Sequence, residues 1–385
     1  MQNLMSSDVR KDLVARGFTR RNFGRIAALM TAGSTLPFYN ESALAQGLSA
    51  MRGPIPPDTV RINANENPMG PCNEAAEAIS AIVRNGGRYQ YEQTFAFSSL
   101  QADLEGLKSN YVLPFAGSSA PLHQSVMAFT SPSKPLVVGD PGYEAAGRAA
   151  EFVGAKTFNV PLTKTYAHDV KAMVTAAPNA GVFYICNPNN PTGTLTSRAD
   201  LEWLLANKPA GSILLLDEAY IHFAGIPTAS DLVAADQDII ILRTFSKLYG
   251  MAGLRAGAAL ARPDLLARIS PYSAGALPVT GMVGAIASLK AAKTLVPERR
   301  KIIGDRRDDV CSWLTAKNIK FVPSVSNKVM IDTGRPGREV FDAMLKEKVL
   351  IGRTWQAWPT YVRVSIGTKD EMEKFEAAFA RVMSV

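Results

Sequence analysis

Two spacings of apolar residues alternate along this chain. Gly181–Cys186 (GVFYIC), Ser212–Leu216 (SILLL) and Asp238–Leu242 (DIIIL) are short, almost unbroken apolar runs. Runs of this length without polar alternation predict strands buried on both faces. Leu136-Val137-Val138 followed by Asp140-Pro141-Gly142 predicts another strand and its turn. Between these runs the apolar positions recur at helical spacing. In Glu74–Val83 they are Ala75, Ala78, Ile79 and Ile82, and Asn85-Gly86-Gly87 ends the segment. Phe97–Leu107, Ala120–Phe129, Tyr143–Phe152 and Asp200–Ala206 read as helices in the same way. Buried strands alternating with helices predict an α/β fold, with a mostly parallel sheet covered on both sides.

The pattern changes beyond Leu254. Val279–Ala292 and Arg299–Leu314 predict long helices, and Arg338–Lys346 and Glu371–Val382 predict shorter ones. Phe321-Val322, Lys328–Ile331, Val349–Ile351 and Tyr361–Ile366 predict strands. This is a smaller α+β unit. The chain therefore divides into a leader (1–45), an extended arm rich in Pro, Gly and Asn (46–71), a large domain (72–278) and a small domain (279–385).

The leader has its own character. Thr19-Arg20-Arg21-Asn22-Phe23-Gly24-Arg25 is a twin-arginine string, followed by a modestly apolar stretch from Ile26 to Phe38. Ala43-Leu44-Ala45 then supplies an A-x-A cleavage site before Gln46. Together they predict export by the twin-arginine (Tat) machinery and a periplasmic mature protein. The leader carries six basic and three acidic residues, so its removal takes the net charge from +8 to +5.

Composition adds limits. A chain of 385 residues with 47% apolar content is long enough for a sizeable core. No span reaches the roughly 18–20 unbroken apolar residues of a membrane helix, so no stable membrane insertion is expected. Basic and acidic residues intermingle without a long basic run, which argues against nucleic-acid binding. Cys72, Cys186 and Cys311 form no CxxC pair and no cluster with the three histidines, so no metal site is expected.

Candidate chemistry lies where the strands end. In an open α/β sheet, ligands gather beyond the carboxyl ends of the strands. Asn190 follows GVFYIC within Asn187–Gly193 (NPNNPTG), Asp217 closes SILLL, and Lys247 follows DIIIL in Thr244-Phe245-Ser246-Lys247. A lysine amine at such a place suits a Schiff base, and a buried aspartate suits a protonated ring nitrogen. Asn190 and Tyr220 are donors for a phenolate. Gly117-Ser118-Ser119 opens a predicted helix, and with Ser246 and Arg255 forms a candidate phosphate cradle. Tyr143 is placed to stack on a ring. Arg363, inside the apolar strand Tyr361–Ile366, suits a bidentate clamp on a carboxylate, and Arg353 is a second candidate for a substrate anion. An amine, an acid and an anion cradle in this order imply the cofactor pyridoxal 5′-phosphate (PLP).

On these strings the chain resembles the fold-type I PLP-dependent aminotransferases, and within them the histidinol-phosphate aminotransferase branch. The matching segments also include Asn63-Ala64-Asn65-Glu66-Asn67-Pro68, Arg88-Tyr89, Asp217-Glu218-Ala219-Tyr220 and Arg363–Thr368. The resemblance implies a large domain with a mostly parallel sheet of the seven-stranded type and a smaller α+β domain. It implies a homodimer in which Tyr89 reaches the partner subunit's cofactor phosphate, with Tyr91 as its possible substitute because Gln90-Tyr91 follows. It places Asn65 on the substrate side and gives Lys247 the proton transfer between substrate and cofactor carbons. The substrates it implies are an amino donor and a 2-oxo acid such as 2-oxoglutarate. A periplasmic address sets the chain apart from cytosolic histidine synthesis, so the donor is left open among histidinol phosphate, an aromatic amino acid or a secondary metabolite. A PLP decarboxylase or lyase, and a non-catalytic periplasmic binding protein, are the alternatives.

Overall fold

Strand parity organises the molecule. In chain order the strands are β1 (Val60–Ile62), β2 (Val112–Phe115), β3 (Leu136–Asp140), β4 (Thr157–Pro161), β5 (Val182–Cys186) and β6 (Ile213–Asp217). They continue as β7 (Ile239–Thr244), β8 (Gly257–Leu260), β9 (Phe321–Val322), β10 (Lys328–Asp332), β11 (Val349–Ile351) and β12 (Tyr361–Ser365). The computed structural model describes residues 11, 13–19, 55–272 and 275–384. Its largest sheet has seven strands in the order β2-β8-β7-β6-β5-β3-β4. All neighbours in it run parallel except at β8, which is antiparallel to both β2 and β7.

Every residue of β5, β6 and β7 is buried. Because side chains alternate along a strand, each strand feeds two cores. Val182, Tyr184, Ile213, Leu215, Ile240 and Leu242 pack on one side of the sheet. Phe183, Ile185, Leu214, Leu216, Ile239 and Ile241 pack on the other. Each of these large aliphatic or aromatic side chains contributes about 1.5–3 kcal/mol by leaving water.

The main helices are α1 (Asn73–Ile82), α2 (Tyr91–Glu105), α3 (Ser119–Phe129), α4 (Ala145–Val153), α5 (Arg198–Asn207), α6 (Val279–Lys290), α7 (Ala292–Ala316), α8 (Gly337–Lys346) and α9 (Lys369–Met383). α3 and α4 cover the first face through Leu122, Val126, Ala146 and Ala149. α2, α5 and α6 cover the second through Phe97, Leu201, Leu204, Met282 and Ala285. A three-stranded antiparallel sheet, β12-β10-β9, forms the core of the C-terminal unit. α9 packs Phe375 and Phe379 onto that unit against the edge of Trp313, and its start is fixed by a capping box between Thr368 and Glu371.

Several elements differ from the sequence expectation. The arm does more than extend: within it β1 pairs in parallel with β11, Val60 opposite Val349. β8 (GAAL) is built of small residues and β2 (VLPF) is short and carries Pro114, so neither announces itself as a strand. α2 starts at Tyr91 rather than Phe97, and α7 starts at Ala292 rather than Arg299, continuing through Pro297. α6 and α7 meet at a bend of 88°.

Part of the leader lies against the body. Phe18 is buried, and the Arg16 guanidinium donates to the carbonyls of Ala128 and Thr130 at 3.3 and 3.4 Å. The twin-arginine pair and the A-x-A site fall outside the described residues.

Candidate active site

The carboxyl ends of β5, β6 and β7 lie side by side, with Cys186 opposite Asp217 and Asp217 opposite Leu242. Beyond them is a cavity of about 310 Å³. Ser118, Ser119, Tyr143, Asn190, Asp217, Tyr220, Ser246, Lys247 and Arg255 all line it. Residues spread over more than a hundred positions of sequence thus share one chamber.

Asp217 continues the parity of Ile213 and Leu215, so it faces the α3 side of the sheet. Its carboxylate accepts a hydrogen bond from the Tyr184 hydroxyl at 3.0 Å and one from the Ala219 N–H at 3.1 Å. It forms no ion pair among the described residues. Burial pushes its pKa up to about 6, while the Tyr184 and Ala219 hydrogen bonds and the positive charges of Lys247 and Lys328 hold it down. A buried carboxylate with unspent acceptor capacity and a cavity in front of it suits a cationic ring nitrogen. Beside it the Cys186 thiol is pushed well up by burial, so it is a neutral wall rather than a nucleophile.

Lys247 sits in the loop after β7. Its Nζ donates to the Ala64 carbonyl at 3.1 Å and lies 5.7 Å from the centre of the Tyr220 ring. The Tyr220 hydroxyl accepts from Asn65 Nδ2 at 2.9 Å. Asn190 Oδ1 accepts from Arg363 at 2.9 Å and faces Asn65 Nδ2 at 3.4 Å. Asn65 is wholly buried and left-handed, with φ 54°, and its backbone N–H and its Oδ1 both meet the Ser365 hydroxyl. Asparagine is one of the few residues that adopts this conformation at low cost.

At the other end the α3 N-terminus opens on the cavity with no side-chain cap and no acidic residue in its first turn. Its free N–H groups and the Ser118 and Ser119 hydroxyls make an anion site. Gly117 precedes it with φ 89°, and a Cβ there would strike the Arg255 guanidinium. Arg255 is itself left-handed at φ 59°, and donates to Ser246 Oγ at 3.2 Å and to the Ala116 and Ala252 carbonyls. An arginine held in this sparsely populated region marks a position fixed by its surroundings.

Five of the expected residues are not on the chamber wall: Gly117 and Asn65, described above, and Arg363, Arg353 and Tyr89. Arg363 is fully buried and reaches the site through Asn190, with its other arm on the Asn63 carbonyl at 2.5 Å. Arg353 pairs with Glu144 at 2.5 Å and lies over the Trp355 ring. Tyr89 is 70% exposed and stacks on Tyr91 at 5.5 Å, away from this chain's own cavity. The sequence reading missed Tyr184, Asn327 and Lys328. Asn327 Nδ2 donates to the Asn65 carbonyl at 3.2 Å. Lys328 is fully buried with its Nζ 3.2 Å from the centre of the Tyr220 ring.

Comparison with known proteins identifies what the chain is similar to. The sequence profile described as aminotransferase class I and II matches residues 57–379. A histidinol-phosphate aminotransferase of Moorella thermoacetica is 31% identical over 338 residues, covering 85% of this chain and 86% of that protein. One from Symbiobacterium thermophilum is 32% identical over 328 residues, covering 83% and 90%. The crystal structure of histidinol-phosphate aminotransferase from Sinorhizobium meliloti, in complex with pyridoxal 5′-phosphate, superposes with a TM-score of 0.80 at 24% identity, covering 91% of this chain and 96% of that one.

Proposed function

The chain belongs to the class I and II aminotransferases, and from that premise we propose that it moves an amino group from a histidinol-phosphate-like or aromatic amine to a 2-oxo acid such as 2-oxoglutarate. It is a PLP-dependent enzyme. The observation that carries the reading is the shared cavity: a buried lysine and a buried, unpaired carboxylate at one end of it, an uncapped helix start with an arginine at the other.

The residues fit PLP. Asp217 would face the ring nitrogen, Asn190 and Tyr220 the ring hydroxyl, and Tyr143 the ring face. Ser118, Ser119, Ser246, Arg255 and the α3 N–H groups would hold the phosphate. When bound, PLP supplies a conjugated ring that takes up the negative charge left on the substrate carbon. Asp217 would set a negative charge at the nitrogen end, which would favour a cationic ring. Lys247 would carry the proton between the substrate carbon and the cofactor carbon, both within reach of its single side chain. Arg363, buried behind the chamber wall and set by Asn190 and Asn63, would receive the carboxylate of the 2-oxo acid in a fixed orientation.

A visible spectrum tests this directly. The purified protein is expected to be yellow, with a band lost on borohydride treatment, and Lys247→Ala is expected to lose both band and turnover. Wild-type turnover in that variant would reject the assignment. Labelled amino donor separates the decarboxylase alternative, since release of CO2 without 2-oxo acid turnover would favour it.

Two further parts of the reading concern assembly and address. Tyr89, Tyr91, Phe95 and Leu104 are large and exposed along one stretch, which supports a homodimer with Tyr89 directed to the partner's site. Sedimentation equilibrium at the 41.4 kDa chain mass would refute it. The twin-arginine string and the A-x-A site support Tat export to the periplasm. Protein sequencing from a native-type host is expected to start near Gln46, and active protein that still begins at Met1 would reject it.

A further inference from the structure

Lys328 opens β10, directly opposite Ser365 on β12. It has no exposed surface, yet sets a charge-bearing side chain against Tyr220, a residue of the cavity wall. Its Nζ sits 3.2 Å from the centre of the Tyr220 ring and 2.9 Å from Ser326 Oγ. A lysine ammonium removed from water needs compensation, and the face of an aromatic ring provides part of it. The ring concerned is the one that, on the reading above, meets the cofactor hydroxyl. The neighbouring segment is equally committed to the site, since Asn327 holds the Asn65 carbonyl and Asn65 holds the Tyr220 hydroxyl.

We propose that Lys328 is a second functional lysine: packed on the Tyr220 ring, it positions the phenol and adds a positive charge just behind the cavity wall, which sets the pH range in which the Lys247 linkage to the cofactor stays unprotonated. The proposal rests on the assignment of Lys247 and Tyr220 as cofactor contacts. The groups that face Lys328 are Tyr220 beyond β6, Asp217 on β6, Cys186 on β5, Lys247 after β7, and Ser326 ahead of β10, with Arg363 nearby on β12. Asp217 is the carboxylate among them, and Lys328, Lys247 and Arg363 are the cations. Removing one of three cations makes a proton easier to hold on the Lys247 linkage and harder to remove from Asp217. Lys328 is thus a positioning residue, distinct from Lys247, which makes the covalent bond.

The test is Lys328→Met, which keeps the stem and deletes the charge. The holoenzyme is titrated by following its visible band from pH 5 to 9. Loss of one unit charge at this range is expected to raise the midpoint by about one pH unit. Cofactor affinity at pH 7 is expected to fall about tenfold as Asp217 becomes harder to ionise. The pH profile of kcat should shift in the same direction while KM for the 2-oxo acid holds, and Lys328→Arg should restore part of the shift. A variant with intact band, unmoved midpoint and unchanged affinity would overturn the proposal. A band that does not depend on Lys247 would instead refute the parent assignment. If Lys328→Met does not fold, wild-type enzyme labelled with [ε-13C]lysine decides. One εCH2 resonance should be displaced upfield by the Tyr220 ring current and should move when the cofactor is removed; its absence overturns the proposal.

Discussion

Asp217→Asn should make the cofactor-free protein more stable and the enzyme worse. The Asp217 carboxyl has an ordinary value of 3.8 and is pushed up to about 6 in the fold, first by burial. The folded state therefore holds the proton more tightly than the unfolded chain. Stability linked to this group is complete below pH 3.8 and is lost as pH rises through 6. The difference of about two units corresponds to about 3 kcal/mol of instability at pH 7.5. Asparagine keeps the shape and an acceptor for the Ala219 N–H, but carries no charge to desolvate. Cofactor-free Asp217→Asn is thus expected to melt about 4 °C above cofactor-free wild type at pH 7.5, scaling the free energy by the unfolding entropy of a chain of this size. Near pH 4 the two should melt together. With PLP bound the order should reverse, because the carboxylate then faces a cation. Calorimetry of both proteins, with and without cofactor, at the two pH values reads all four terms. The reasoning fails if the cofactor-free variant shows no gain at pH 7.5, or if the gain is the same at pH 4.

Two other substitutions probe separate parts of the site and its support. Gly117→Ala places a methyl group against the Arg255 guanidinium at a backbone φ of 89°; it should weaken cofactor binding at least about tenfold in a fluorescence titration, consistent with loss of one charge-assisted phosphate contact. Glu105→Gln removes one of the two carboxylates that hold buried Arg243, the other being Glu218; the denaturation midpoint should fall by an amount equal to about 3 kcal/mol. Burial opposes the Glu105 charge, but Arg243 outweighs it and holds the carboxyl at about 2, below its ordinary 4.5. That contribution is present above pH 4.5 and is lost as pH falls toward 2, so the acid limb of the wild-type stability curve should flatten in the variant.

The parts of the fold that could be read from sequence are those in which burial writes a pattern. β5, β6 and β7 are wholly buried, so their apolar runs were unambiguous. β8 is buried just as fully, but its GAAL sequence uses small residues, because a side chain at Gly257 would strike the Arg243 and Gly117 backbones. Strand position there is dictated by close approach, which leaves no hydrophobic signature. The same division runs through the site. Lys247, Asp217 and Asn190 are legible because Asp217 ends a recognisable strand and the other two closely follow one. Lys328 was not, since a lysine at the head of a strand reads as a solvated end, and only the folding of β10 against Tyr220 shows its burial. Arg353 reads from sequence as a second candidate for a substrate anion, whereas the fold sets Glu144 against it from beside Tyr143. That partner comes from a turn some two hundred residues away, and no local pattern connects the two.

Stability and function in this molecule depend on the same parity. The alternation that sends Ile213 and Leu215 to one core and Leu214 and Leu216 to the other also decides which face receives residue 217. A slip of one residue in β6 would reverse every side chain on it. It would carry Asp217 to the α5 face, away from Lys247, and put aliphatic side chains in exchange for one another at almost no change in hydrophobicity. Hydrophobic burial alone is therefore a weak guardian of the register of so uniform a strand. The hydrogen bonds at its end are more selective: Tyr184, two residues before the end of β5, meets the carboxylate only when Cys186 lies opposite Asp217. Tyr184 thus supports the acid chemically and also rewards the one register in which the acid reaches the cavity, which accounts for a hydroxyl in the middle of an otherwise apolar strand.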